Sequence, residues 1–154
     1  MIKVAIIGLG IMGRRMLQHM RIHEKFEPNY LWDPDKTACQ KAIEIDSEAK
    51  IMNSPEEAID GADLVYLACP PQVREAHAIQ TAQKGKALFL EKPLGIDIDH
   101  SKSLINKLKG FNVPLAVNFT QAAGPALNDL IKAKSAGELG EMIGVDIIVT
   151  YPKW

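Results

Sequence analysis

Six short apolar runs, each followed by a segment of helical character, constrain this chain more than any other feature. The first, IKVAII (residues 2–7), is β-branched and nearly continuous in apolarity, the pattern of a parallel strand covered on both faces. YLWD (30–33), AKIM (49–52), DLVYLAC (63–69), KALFLE (86–91) and VPLAVNF (113–119) continue the series. Between them, Met12, Met16 and Met20 recur every four residues beside Leu17, which predicts a helix with one buried stripe from residue 11 to about 24. PDKTACQKAIEI reads as a helix opened by Pro34. SPEEAI offers Ser54 as N-cap, Pro55 at the first helical position and Glu57 to complete a capping box. PQVREAHAIQTAQ is helical, and Asp97 caps a last helix that Gly110 ends. Strands alternating with helices in this way are joined by right-handed crossovers and run parallel. The expected fold is α/β, a doubly wound parallel sheet with its ligand at the carboxyl ends of the strands.

The stretch AIIGLGIMGRRM (5–16) sharpens this to a Rossmann-type sheet. Gly8, Gly10 and Gly13 follow the first strand and open the first helix, the context that a dinucleotide fingerprint requires. Gly8 would permit the tight turn, Gly10 would let the backbone approach a pyrophosphate, and Gly13 would let helix and strand pack closely. The helix N-terminus then faces the anion. Asp33 stands twenty residues after Gly13 at the end of the second strand, where a carboxylate accepts from adenosine ribose hydroxyls and disfavours a 2′-phosphate. The bland alternative for Asp33 is a cap on the next helix. Arg14 and Arg15 are read as a solvated first turn.

Composition narrows the function classes. Eighteen Lys and Arg against nineteen Asp and Glu leave a net charge of -1, and the basic residues are scattered, so a nucleic-acid partner is not expected. No apolar stretch reaches membrane-spanning length, so none with a membrane is expected either. Cys39 and Cys69 are the two cysteines, read as reduced core thiols of a cytoplasmic protein. His19 and His23 are four apart on the first helix but have no third ligand in view, and no metal site is expected; they, His77 and His100 are read as surface residues. Neither G-x-S-x-G nor H-E-x-x-H occurs.

Residues 125–136 predict one more helix, stopped by Gly137, and GEMIGVDIIVTY then alternates, with Ile143, Val145, Ile147, Val149 and Tyr151 on one face. Such an edge strand needs a cover. The expected organisation is a nucleotide-binding domain over 1–121 and, over 122–154, the beginning of a second α+β domain of a longer protein, which assembles as a homo-oligomer through that sheet.

IGLGIMG resembles two oxidoreductase families: the 3-hydroxyisobutyrate and 6-phosphogluconate dehydrogenases, and the glucose-fructose oxidoreductase/inositol dehydrogenase (Gfo/Idh/MocA) family. ACPPQVREAHAIQTAQKGKALFLEKPLG resembles the fourth and fifth strands of the second family, ending in its Glu-Lys-Pro motif at Glu91, Lys92 and Pro93. GPALNDLIKAKSAGELGE resembles the helix and turn beyond that family's nucleotide domain. The resemblance implies an NAD-dependent oxidoreductase, with NADP as the alternative, moving hydride between nicotinamide and a sugar- or polyol-like substrate. It implies that Lys92 sits beside nicotinamide and substrate as the catalytic residue, that Glu91 helps hold the nicotinamide end, and that Pro93 follows a cis peptide. An ammonium at a strand's carboxyl end can stabilise charge developing on a substrate oxygen. The cofactor-binding candidates are Gly8, Gly10, Ile11, Met12, Gly13, Asp33, Pro70, Glu91 and Asn118. Two departures stand out: Arg74 occupies the place where the family commonly has histidine, and Ala122 a place where many members carry arginine. The family's acid–base histidine lies beyond residue 154, in members about twice as long, so this chain is expected to be incomplete for catalysis. A noncatalytic dinucleotide-sensing or assembly module is the rival from another class. The 3-hydroxyisobutyrate type is the closer alternative, separated by whether a strand forms at 141–151.

Overall fold

The alternation becomes a six-stranded parallel sheet in the computed structural model, which describes residues 1–148 and 150. The strands are β1 (Ile2–Ile7), β2 (Phe26–Trp32), β3 (Lys50–Ile51), β4 (Leu64–Leu67), β5 (Ala87–Leu90) and β6 (Leu115–Val117). Between them lie α1 (Ile11–Arg21), α2 (Lys36–Ile45), α3 (Pro55–Gly61), α4 (Pro71–Gln83) and α5 (Ile98–Lys109). The spatial order is β3-β2-β1-β4-β5-β6. It reverses between β1 and β4, so the crossovers leaving those two strands part to opposite faces and open a crevice at the carboxyl edge.

Two cores explain the unbroken apolarity of β1. Val4 and Ile6 pack with Leu17 and Met20 of α1 and with Ala38 and Ala42 of α2. Ala5 and Ile7 face the other way, onto Ile59 of α3, Ala78 and Ala82 of α4, and Leu104 of α5. Successive strand residues point to opposite faces, and with both faces covered every residue from Val4 to Ile7 is fully buried.

The helix termini show where local chemistry agrees with the sequence and where it does not. Ser54 accepts from the Glu57 amide at 3.2 Å, but the Glu57 carboxylate reaches Asn53, at both its amide and its side chain, so the expected box is displaced by one residue. Asp97 caps α5 through the His100 amide at 2.7 Å, and Gly110 ends it. α2 begins at Lys36 instead of Pro34, because Asp35 is the cap and accepts from Thr37 N at 2.8 Å. α1 stops at Arg21, short of residue 24. Its buried positions are Gly13, Leu17 and Met20, while Met16 is only partly buried and Met12 lines the crevice. The methionine stripe is thus a half-stripe.

The contacts divide the chain between Asn118 and Phe119. The second unit contains a 3-10 turn (Thr120–Ala123) and α6 (Pro125–Ser135), which is followed by Gly137 in a left-handed conformation at φ 76. Among the described residues the strand expected across 141–151 does not occur: residues 142–148 and 150 carry no strand, and Val149 and Tyr151 lie outside the described residues. A strand needs a neighbour to take its amides and carbonyls, and none pairs with this segment among the described residues. Alternation alone leaves Ile143 99% and Ile147 79% exposed.

Candidate functional site

A cleft of about 620 Å³ lies at the carboxyl edge of the sheet, where the turns after β1, β2, β4 and β5 converge. Of the sequence-predicted site residues, Gly8, Gly10, Met12, Asp33, Pro70, Glu91 and Lys92 line it. Gly13 lies beneath the turn after β1, Ile11 is 72% exposed, and Asn118 stands at the end of β6 behind Glu91.

The three glycines of that turn serve different ends. Gly8 has φ +96, and a Cβ there would lie 2.5 Å from Cys69 N. A Cβ on Gly13 would lie 1.8 Å from the Gly8 carbonyl oxygen. Both positions exclude a side chain for reasons internal to the fold. Gly10 differs: φ is an ordinary -63, and a Cβ would meet nothing within 4 Å. It is the N-cap of α1, no side chain caps that helix, and no acidic residue stands in its first turn. The first amides of a helix lack internal partners and carry partial positive charge, so this open ground suits an anion.

The Asp33 carboxylate is tied to main chain on both sides. One oxygen accepts from Leu9 N at 2.6 Å and the other from Asp35 N at 2.8 Å. It therefore links the end of β2 to the glycine turn and does not cap α2. A carboxylate has about four acceptor sites, so capacity for ribose hydroxyls remains. Arg14, expected to be solvated, instead donates through Nη1 to the Leu9 carbonyl. Leu9 is thus fixed at both its N–H and its C=O.

The turn after β5 is built from buried polar groups. Glu91 is 3% exposed. Its Oε1 accepts from the Tyr66 hydroxyl and from Asn118 Nδ2, each at 2.5 Å, and its Oε2 accepts from Lys92 N at 3.0 Å. Burial, with the neighbouring carboxylate, pushes the Tyr66 phenol above its ordinary range, so it stays a donor. The Lys92–Pro93 peptide is cis. Arg74 of α4 is also buried, and burial draws its guanidinium below its ordinary value. Sequence reading missed Tyr66 as a site residue. The available signal was a tyrosine in an otherwise aliphatic strand, because a buried phenol needs a partner.

The histidines depart from a uniform surface reading. His77 lines the cleft and meets the edge of Trp32 with ring centroids 6.0 Å apart. Burial lowers its pKa, which keeps it neutral near pH 7. His100 donates through Nε2 to Glu75 at 2.7 Å. His19 and His23 are exposed. No cluster of three metal-ligating side chains occurs among the described residues. Both cysteines are buried and free. None of the described helices is long and apolar enough to cross a membrane.

An open sheet with this strand order, and bare helix amides at its switch point, defines a dinucleotide-binding α/β domain. The comparisons with known proteins go further. Residues 2–119 match the model of the GFO_IDH_MocA oxidoreductase family, NAD-binding Rossmann fold, and the chain belongs to that family. A scyllo-inositol 2-dehydrogenase (NAD(+)) of Bacillus subtilis (strain 168) is 31% identical over 149 residues, 92% of this chain and 42% of that protein. An uncharacterized oxidoreductase of Streptococcus pneumoniae serotype 4 is 30% identical over 115 residues, 73% of this chain and 30% of that one. The crystal structure of a myo-inositol dehydrogenase from Lactobacillus casei in complex with NAD(H) and myo-inositol shares the fold, with a TM-score of 0.80 at 23% identity over 90% of this chain and 42% of that one. The chain therefore spans less than half the length of these relatives. The family match decides against the 3-hydroxyisobutyrate type.

Proposed function

We propose that this chain binds a nicotinamide dinucleotide across the carboxyl edge of its sheet, as the nucleotide-binding part of an enzyme oxidising or reducing a polyol or sugar. The observation that carries this reading is the asymmetry of the glycines. Gly8 and Gly13 are required by the fold, whereas Gly10 leaves open ground in front of the α1 amides that a Cβ would fill. The diphosphate would rest there, on the amides of Ile11, Met12 and Gly13. Asp33 would accept from the adenosine ribose, which favours NAD over NADP. Pro70 would border the cofactor across the cleft. Glu91 and Asn118 would act at the nicotinamide end by holding the turn that carries Lys92.

The bound cofactor supplies the hydride chemistry. Lys92, exposed at the end of β5, would donate to the substrate oxygen and stabilise the charge that develops on it as hydride leaves or arrives at carbon. The polyol assignment is supported by the names of the inositol dehydrogenases among the relatives. A reducing, cytoplasmic setting is supported by two buried, unpaired thiols. Calorimetric titration with NADH tests the reading: wild type binds, and Gly10→Val binds at least about tenfold more weakly, a loss of about 1.4 kcal/mol. Equal affinity in the two proteins would overturn it.

A further inference from the structure

Arg74 carries a charge that the proposed cofactor binding and hydride transfer leave unemployed. It is 2% exposed. Taking a guanidinium out of water costs several kcal/mol unless its donors are satisfied. Here four of its five N–H groups find main-chain oxygens: Nε and Nη2 donate to Cys69 O at 3.1 and 2.6 Å, and Nη1 donates to Glu91 O and to Pro93 O. Cys69 follows β4, whereas Glu91 and Pro93 flank Lys92 after β5. Among the described residues no carboxylate pairs with the guanidinium, so its satisfaction comes from carbonyl dipoles of two separate turns. Filling space would need only an apolar side chain of similar volume. Reaching three carbonyls at once needs a planar fork, which a lysine's single nitrogen does not provide.

The consequence falls on one residue. Glu91 is held at its carbonyl by Arg74 and at its carboxylate by Tyr66, Asn118 and the Lys92 amide. Pro93 is held at its carbonyl by Arg74. Lys92 stands between two fixed neighbours with its own side chain exposed to the cleft. The glycine turn after β1 makes none of these bonds.

We propose that Arg74 is a positioning residue: it clamps the turns after β4 and β5 together and so sets where Lys92 and the nicotinamide end of the cleft stand, without contributing to the adenosine and diphosphate end. This rests on the dinucleotide reading above. Arg74→Lys keeps the stem and the charge but loses the fork; Arg74→Met removes both charge and donors. Two measurements on the whole chain separate positioning from general stability. Without ligand, amide hydrogen exchange in Arg74→Lys should speed up at least about tenfold over residues 90–95 and stay at wild-type rates over residues 8–13. By calorimetry, either variant should bind NADH several-fold more weakly while binding ADP-ribose, which lacks the nicotinamide, within about twofold of wild type. Exchange that rises equally in both turns or in neither, or equal losses for the two ligands, would overturn the proposal. Wild type binding neither ligand would instead count against the dinucleotide reading, and the exchange pattern would still decide the role of Arg74.

Discussion

Two turns frame one cleft and are held by opposite means. The turn after β1 is tight because side chains are excluded from it: Gly8 sits at φ +96 against Cys69, and Gly13 lies close against the Gly8 carbonyl. The turn after β5 is held because buried side chains grip it, with Tyr66 and Asn118 on the Glu91 carboxylate and Arg74 on the carbonyls around Lys92. The difference has a chemical use. A turn tightened by absence leaves its following amides bare, which suits an anion. A turn tightened by a satisfied polar network holds up a single side chain, which suits a reacting group.

The largest expected effect breaks the first turn from within. Gly13→Ala or Gly8→Ala forces backbone to move and should destabilise the fold by about 3 kcal/mol or more, read as a fall in the urea midpoint. Gly10→Val, two or three residues away, loses only the N-cap preference for glycine and should cost no more than about 1 kcal/mol. Similar losses at all three glycines would erase the distinction drawn between them.

Breaking the second turn should cost less, since its grip is shared. Tyr66→Phe removes one of three donors to the Glu91 carboxylate and should cost about 1–2 kcal/mol, with ADP-ribose affinity unchanged by calorimetry. A loss of ADP-ribose binding would show that the two turns are not independent. Asp33 and Asp35 sharpen the comparison further. Asp35→Ala loses only the cap of α2, about 1 kcal/mol, and keeps NADH affinity. Asp33→Ala frees the Leu9 amide and weakens NADH binding as well.

The smallest effect is on pH dependence. Burial lowers the His77 pKa in the folded state from an ordinary 6.5, so below that value the unfolded chain takes up the proton first. Stability should therefore decline as pH falls from about 7 toward 5, and His77→Gln should flatten the decline in thermal unfolding scans. An unchanged slope would mean that His77 is solvated when the chain is folded.

Much of the first unit was legible because parallel strands buried on both faces leave short, nearly unbroken apolar runs, as in Val4–Ile7. The caps at Ser54 and Asp97 were legible because their partners lie three residues away. What escaped is long-range or runs through backbone. Asp33 reaches Leu9 across 24 residues, and the oxygens that hold Arg74 belong to main chain, which leaves no side-chain signature at Cys69 or Pro93. The segment from Glu141 shows the reverse: its alternation is real in the sequence, but a strand exists only beside another, and none pairs with it among the described residues.

A diphosphate seated on the α1 amides would register in nitrogen-15 amide shifts during an NADH titration. Saturable changes are expected, largest at Ile11, Met12 and Gly13, with a second group at Glu91 and Lys92. Saturable binding that leaves the Ile11 and Met12 amides unmoved, while shifting residues elsewhere in the chain, would contradict it.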